Sequence, residues 1–254
     1  MLEKSHGTPG RCKPSYFGHF GSILGSVEEL WGESICLAYA LQKISNTSAV
    51  AHTVGDAVDH FQASIYNALT GYYRLGFTSL RAVVENMTLA AYFDIAATHD
   101  EFAAWLAGED FRFGRAADNL LQYAHIADLE EKLRVATGDN LYRQRTETDP
   151  GGFVRRLFRE LSKFAHGAPG YSDGDMWRSN RPIFVAEVFE TWTEYFLAVY
   201  SLTVLQSRLA DQQLRHLAFD SAFTARELFR HVIQRMSRKS EARTLLGALP
   251  DDIW

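Results

Sequence analysis

Apolar residues along this chain recur at intervals of three and four, and no long segment alternates strictly. That is the period of helices packed on one face rather than of strands. Setting each residue about 100° round the axis from the last predicts helices over 26–44, 49–70, 72–97, 99–107, 111–124, 127–136, 153–166, 183–209 and 221–238. The 26–44 helix would bury Val27, Leu30, Trp31, Ile35 and Leu41, and the 49–70 helix Val50, Val54, Ala57, Val58, Phe61, Ile65 and Leu69. Residues 72–97 are apolar nearly all round, from Leu75 and Phe77 to Phe93 and Ile95, as a helix at the centre of a bundle must be. The exception is a narrow stripe of Arg74, Arg81, Glu85, Thr88 and Tyr92. A carboxylate on such a helix has to be paired, and Arg81, one turn before Glu85, is the local partner. The expected fold is all-α: a single-domain multi-helix bundle over 23–240, an irregular arm at 1–22 and a C-terminal tail at 241–254.

The segment 153–166, FVRRLFRELSKFAH, carries the sharpest division of faces. Phe153, Val154, Leu157, Phe158, Leu161 and Phe164 fall on one side; Arg155, Arg159, Ser162 and His166 form a ridge on the other. Asp149-Pro150 offers an N-cap and a first-turn proline. Gly167 and Pro169 stop the helix, so His166 stands in its last turn, where the helix dipole favours an imidazolium. Two surfaces compete for this ridge. The Arg81/Glu85 stripe could line a cleft with Arg159 and His166. Alternatively the acidic ridge Glu187, Glu190 and Glu194 could face Arg155 and Arg159, making the arginines members of structural salt bridges.

Composition narrows the choices. A net charge of −5 excludes a general polyanion binder. It leaves one basic end, with Arg226, Arg230, Arg235, Arg238, Lys239 and Arg243 opposed by Glu227 and Glu241. Cys12 and Cys36 form neither a CxxC nor a disulfide framework, which predicts a reducing, cytoplasmic home. The N-terminal stretch has no signal-peptide core. The apolar 183–209 segment is broken by three glutamates, so no membrane span is expected. His52, Asp56 and His60 are spaced four apart with Asp59 beside them, a metal-ligand spacing. His52, Asp56 and Asp59 lie opposite the apolar face, where nothing would orient the ligands, so no metal and no other cofactor is predicted. Gly170 to Gly174 spells GxSxG, but it follows a helix end and no sheet is present to make a nucleophile elbow. A P-loop, a dinucleotide fingerprint, HExxH and the Glu-x-x-His pairs of di-iron bundles are all missing.

Two segments have Arg, four to six residues, then His: RELSKFAH (Arg159, His166) and RELFRH (Arg226, His231). Six intervening residues place both side chains on one face, about 10 Å apart along the axis; four place them about 140° apart. Arg159/His166 is therefore the candidate pair. Here the chain resembles bacterial helical proteins that combine an Arg-x-x-x-Glu helix with a Leu-Ser-x-x-x-His-Gly helix end, in this chain Arg81 to Glu85 and Leu161 to Gly167. More remotely it resembles the HEPN superfamily of helical ribonucleases and nucleotide-binding proteins.

The resemblance implies a HEPN-like four-helix core with additional helices. It also implies metal-independent RNA cleavage by Arg159 and His166, supported by Ser162, Glu85 and Arg81, or an inactive RNA- or nucleotide-binding relative. RNA, a second copy of the chain, and an antitoxin or other phage-defence partner are the partners it implies. Arg155, with Trp177, Arg178 and Arg181 of the following loop, would bind the substrate. The competing expectation is a non-enzymatic interaction or regulatory protein.

Overall fold

The computed structural model describes residues 25, 28, 32, 48–166, 184–210, 225–250 and 253, the side chains of 225–228 and 231 excepted. The helix predicted over 26–44 (residues 28 and 32 apart), the loop residues Trp177, Arg178 and Arg181, the GxSxG stretch and the side chains of Arg226 and His231 lie outside them. All regular structure among the described residues is helical, as the periodicity predicts.

Helices α1 (Ala49–Leu69) and α2 (Tyr73–Ala96) form a hairpin. Its turn closes with the Tyr72 N–H on the Asn67 carbonyl at 2.7 Å and passes through Gly71 at φ +84°. Ser48 caps α1, accepting from the Ala51 N–H at 3.1 Å. Asp94, at the far end of α2, adds a second cap by accepting from the Ala49 and Val50 N–H groups at 2.7 and 2.9 Å. A carboxylate at a helix N-terminus also opposes the helix dipole favourably.

Helix α2 is central. It packs on α1, α3 (His99–Leu106), α4 (Phe113–Leu120), α6 (Phe153–Ala165) and α7 (Ala186–Ala210). Leu80, Val83, Val84, Met87 and Ala90 are fully buried in one continuous core. Leu75 is the exception to the predicted apolar surround. It sits in the first turn and is exposed. The hairpin is tied to α7 through a buried relay: the Trp192 indole donates to Ser64 Oγ at 2.9 Å, and that hydroxyl donates to the Gly76 carbonyl at 2.9 Å. A Cβ on Gly76 would stand 3.2 Å from the Ser64 carbonyl oxygen and 3.3 Å from the indole nitrogen, so the helices approach at the limit that glycine permits. Further along, Gln206 Nε2 donates to Thr88 Oγ1 and to the Tyr142 hydroxyl, at 2.9 and 3.2 Å. Burial pushes the Tyr142 phenol up and keeps it protonated.

Helix α5 (Ala124–Thr137) ends at Gly138, φ +77°. The connector that follows is pinned by one buried carboxylate. Glu130 accepts from the Leu141 and Tyr142 N–H groups at 2.9 and 2.5 Å. The connector in turn starts α6, because the Phe153 and Val154 N–H groups donate to the Asn140 and Leu141 carbonyls at 2.8 and 2.9 Å. This corrects the Asp149-Pro150 cap. The N-cap is Gly152, which makes no side-chain bond, and Pro150 precedes the helix. Asp149 closes its own loop instead, accepting from the Gly151 N–H at 2.8 Å. Main-chain carbonyls brought from the connector do the work expected of a side chain.

Burial raises the Glu130 carboxyl above its usual value, although the Tyr142, Asn140 and Leu141 donors pull it down. A carboxyl whose value is higher in the folded chain binds protons more tightly there, so its contribution to stability falls as pH rises. The expected result is that wild type loses stability relative to Glu130→Gln as pH is raised from the ordinary carboxylate value of 4.5 through the raised one. Above that window the difference becomes constant. Urea melts of both proteins at a series of pH values check this; a difference that stays flat, or that grows in the other direction, would be inconsistent with it.

Helix α8 (Ala225–Arg235) leads to α9 (Glu241–Gly247). The segment read from sequence as a tail, 241–254, begins with this helix. Ser240 caps a seven-residue helix whose Leu245 and Leu246 are buried. Two turns are too short for a periodicity to register in sequence. Among the described residues no helix is long and apolar enough to cross a membrane, and no three His, Cys, Asp or Glu side chains are grouped to hold a metal ion. The His52 ring lies against Phe102, centroids 6.0 Å apart.

Candidate functional site on helix α6

The four ridge residues span an arc of only about 60° on α6: taking Arg155 as zero, Ser162 lies near −20°, His166 near +20° and Arg159 near +40°. Because α6 is at the edge of the bundle, that arc straddles the boundary between packed and open. The ridge therefore splits.

Arg155 belongs to the packed side. Its Nε donates to the Tyr142 carbonyl at 3.1 Å, one Nη to the Gly114 carbonyl at 3.4 Å, and the same Nη pairs with Asp118. With its side chain only 15% exposed, it is a clamp joining α4, the connector and α6. Sequence reasoning placed it as a substrate contact; here its guanidinium is engaged within the packing. Arg156 behaves likewise, pairing with Asp139 and with Glu241 of α9.

Ser162 also faces inward. Its hydroxyl donates to the Phe158 carbonyl at 2.7 Å and accepts from Arg81 Nε at 3.1 Å. Arg81 pairs with Glu85 at 3.0 Å, both half-buried, as their one-turn spacing predicts. The Arg81 guanidinium lies 4.7 Å from the Phe158 ring centroid, and Phe158 stacks on Phe113 at 4.1 Å. A guanidinium held by a carboxylate, a hydroxyl and an aromatic face is well satisfied. The three expected supporting residues thus form one bonded unit between α2 and α6.

Arg159 and His166 are on the open side. Arg159 is partly exposed and donates to the Pro150 carbonyl at 3.3 Å. His166 is the C-cap of α6, its ring exposed and its N–H donating to the Ser162 carbonyl at 2.9 Å. Between them on the surface, Lys163 pairs with Glu160 at 2.7 Å. Among the described residues neither Arg159 nor His166 forms a salt bridge, and neither is bonded to Arg81 or Glu85. Among the described residues Arg81 and Glu85 bond to each other and to Ser162, and no bond joins them to Arg159 or His166.

The acidic ridge does not meet the arginine ridge either. Glu194 accepts from the Ser237 N–H at 2.8 Å, and Glu187 bears on the Tyr73 phenol, which burial and then this carboxylate hold above its ordinary value. Between α6, α7 and α9 lies an open groove of about 220 Å³, floored by Leu157, Tyr195 and Ala198 and rimmed by Arg156, Glu160 and Glu194. Arg159 and His166 do not line it.

Several partners escaped the sequence reading. Asp118, Asp139 and Glu241, which hold the arginines of α6, are 37, 17 and 85 residues away from them in the chain. Arg74, one member of the α2 stripe, donates to the Phe164 and Ala165 carbonyls, both at 3.1 Å. It thus satisfies the C-terminal end of α6 next to His166. The separation of seven between Arg74 and Arg81 on one stripe was the only local sign that both meet the same neighbour. No family model, curated protein or solved structure matches this chain.

Proposed function

We propose that this chain is a HEPN-like, metal-independent ribonuclease, or a non-cleaving RNA-binding relative, working in the cytoplasm as a homodimer in a bacterial defence or toxin–antitoxin system. The observation that carries the reading is the division of the α6 ridge. Two of its four polar residues are built into the packing, while Arg159 and His166 are turned outward on one edge. The resemblance of RELSKFAH to the Arg-to-His motif supplies the chemistry. The His166 imidazole takes the proton from a ribose 2′-hydroxyl as that oxygen attacks the adjacent phosphorus, or returns a proton to the departing 5′-oxygen. Arg159 stabilises the charge that develops on the phosphoryl oxygens. In a two-fold dimer each pair would meet its copy in one cleft, which lets one imidazole act as base and the other as acid.

One observation favours a second reading. Arg74, Arg81, Arg155 and Arg156 all have internal partners, as expected of a helical interaction protein whose charges serve its packing. Incubation of wild type, Arg159→Ala and His166→Ala with total RNA and EDTA separates the two. The nuclease reading expects EDTA-resistant cleavage by wild type, reduced about 100-fold or more in each variant. Melting temperatures should stay close to that of wild type, because both side chains are at the surface. No cleavage by wild type, or undiminished cleavage by His166→Ala, would sink the nuclease and leave the non-cleaving RNA-binding relative or the interaction protein.

A further inference from the structure

The groove between α6, α7 and α9 is bordered by four charged side chains, Arg156, Glu160, Glu194 and Glu241, and one of them is left unmatched by the packing. Arg156 lies between Asp139 and Glu241 and pairs with both. Glu160 holds Lys163, whose ammonium bonds both carboxylate oxygens, at 2.7 and 2.8 Å. Glu194 has no cation among the described residues. Its Oε1 accepts from the Ser237 N–H at 2.8 Å, while Oε2 is shielded from water and accepts no hydrogen bond among them. The basic residues of the adjoining turn do not pair with it. Arg243 is turned to the end of α8, donating to the Met236 carbonyl at 2.6 Å, and Arg238 and Lys239 are exposed.

A carboxylate with one oxygen withdrawn from water calls for a positive partner or a second donor. The surroundings set the rest of the ligand. Leu157, Ala198 and Ala242 are buried and give the groove an apolar floor, and the Phe153 and Tyr195 side chains border it. Aromatic faces also attract an ammonium ion. The volume, about 220 Å³, is smaller than the about 300–1,000 Å³ of sites for drug-sized ligands. The complement is a small molecule with an apolar body and one positive charge. An anion would meet three carboxylates against one guanidinium that is already paired. A neutral apolar molecule would cover the floor and leave Glu194 unmatched.

We propose that this groove is a binding site for a small organic monoammonium compound, its charge paired with Glu194 and its hydrocarbon laid over Leu157, Tyr195 and Ala198. The site is independent of the nuclease reading, because Arg159 and His166 do not line it.

The test uses the full chain with phenethylamine as probe and phenethyl alcohol, of similar shape but uncharged, as its control. Ligand-observed NMR titration at neutral pH and low salt should show saturable binding of the amine with a Kd of about 1 mM, ordinary for a ligand of about nine non-hydrogen atoms. The alcohol should bind about tenfold or more weaker. Glu194→Gln keeps an acceptor for the Ser237 N–H, so it should fold like wild type, lose about tenfold or more in affinity for the amine, and bind amine and alcohol alike. Glu190→Gln removes the same charge one turn earlier, from an exposed residue that does not border the groove, and should bind like wild type. Amine at about 10 mM should raise the melting temperature of wild type and Glu190→Gln but not that of Glu194→Gln. Equal binding of amine and alcohol by wild type, an equal loss in Glu190→Gln, or undiminished binding by Glu194→Gln overturns the site. So does amine binding that fails to saturate. A lysine-containing peptide that binds through Glu194 when phenethylamine does not also overturns it, and gives the groove to a protein partner.

Discussion

Gly152→Ala should be among the most damaging single-methyl changes in this protein, lowering stability by about 3 kcal/mol or more. The added Cβ would fall 2.4 Å from the Leu141 carbonyl oxygen and 2.7 Å from the Arg143 nitrogen, both main-chain atoms. Neither can yield alone. The Leu141 N–H is held by Glu130 and the Leu141 carbonyl by the Val154 N–H. Movement therefore pulls on α5 and α6 together and would unseat the helix that carries Arg159 and His166. Gly138→Ala is the control. Gly138 has φ +77° with nothing within 4 Å of the added atom, so only the left-handed backbone opposes the change, at about 1 kcal/mol. Urea melts of the two variants measure the contrast. If Gly152→Ala lies within 1 kcal/mol of wild type, the close crossing of connector and helix is not as described.

Trp192→Ala should cost about 3–5 kcal/mol, the range for emptying a buried aromatic site. The indole is fully buried, lies tilted against Phe189 and Phe196 at centroid distances of 5.1 and 5.2 Å, and donates to Ser64. The hydrogen-bonded part can be separated from the packing. Ser64→Ala leaves the indole N–H and the Gly76 carbonyl without that hydroxyl, at a cost of about 1–3 kcal/mol. Trp192→Phe keeps most of the ring bulk and removes the donor. If the relay is what joins the hairpin to α7, Ser64→Ala and Trp192→Phe combined should cost clearly less than the sum of the two single changes. Additive costs in the denaturation cycle would mean that the two residues are stabilised separately.

These changes act where sequence reading was weakest, and the reason is the same in each case. Periodicity located most of the described helices, because a helix must bury one face whatever it packs against. The all-round apolar pattern of 72–97 likewise placed α2 at the centre. Arg81 and Glu85 could be paired because they are one turn apart on one helix. The Leu141–Gly152 crossing, the Trp192–Ser64–Gly76 relay and the Arg155–Asp118 clamp join residues that are far apart in the chain and have no periodic signature. Helix α9 was missed for a different reason: seven residues capped by Ser240 do not repeat often enough to be told from a tail.

The candidate site shows the same boundary at finer scale. Spacing alone determined that Arg155, Arg159, Ser162 and His166 share one side of α6, because helical geometry is local. It could not determine which of them meets solvent. They lie within an arc of about 60°, less than the width of a neighbouring helix's contact, so a small rotation of α6 against α2 and α4 reassigns each one. That rotation is set by contacts from elsewhere: the main-chain cap from the connector, Asp118 on Arg155, Arg81 on Ser162 and Arg74 on the last carbonyls of the helix. Sequence by itself determined an all-helical chain with one polar ridge of arginine and histidine. Only the tertiary structure decided that Arg155 and Ser162 turn inward to hold the bundle and that Arg159 and His166 turn outward. The physical reason is that a helix's faces follow from its own residues, while its orientation follows from partners distant in the chain.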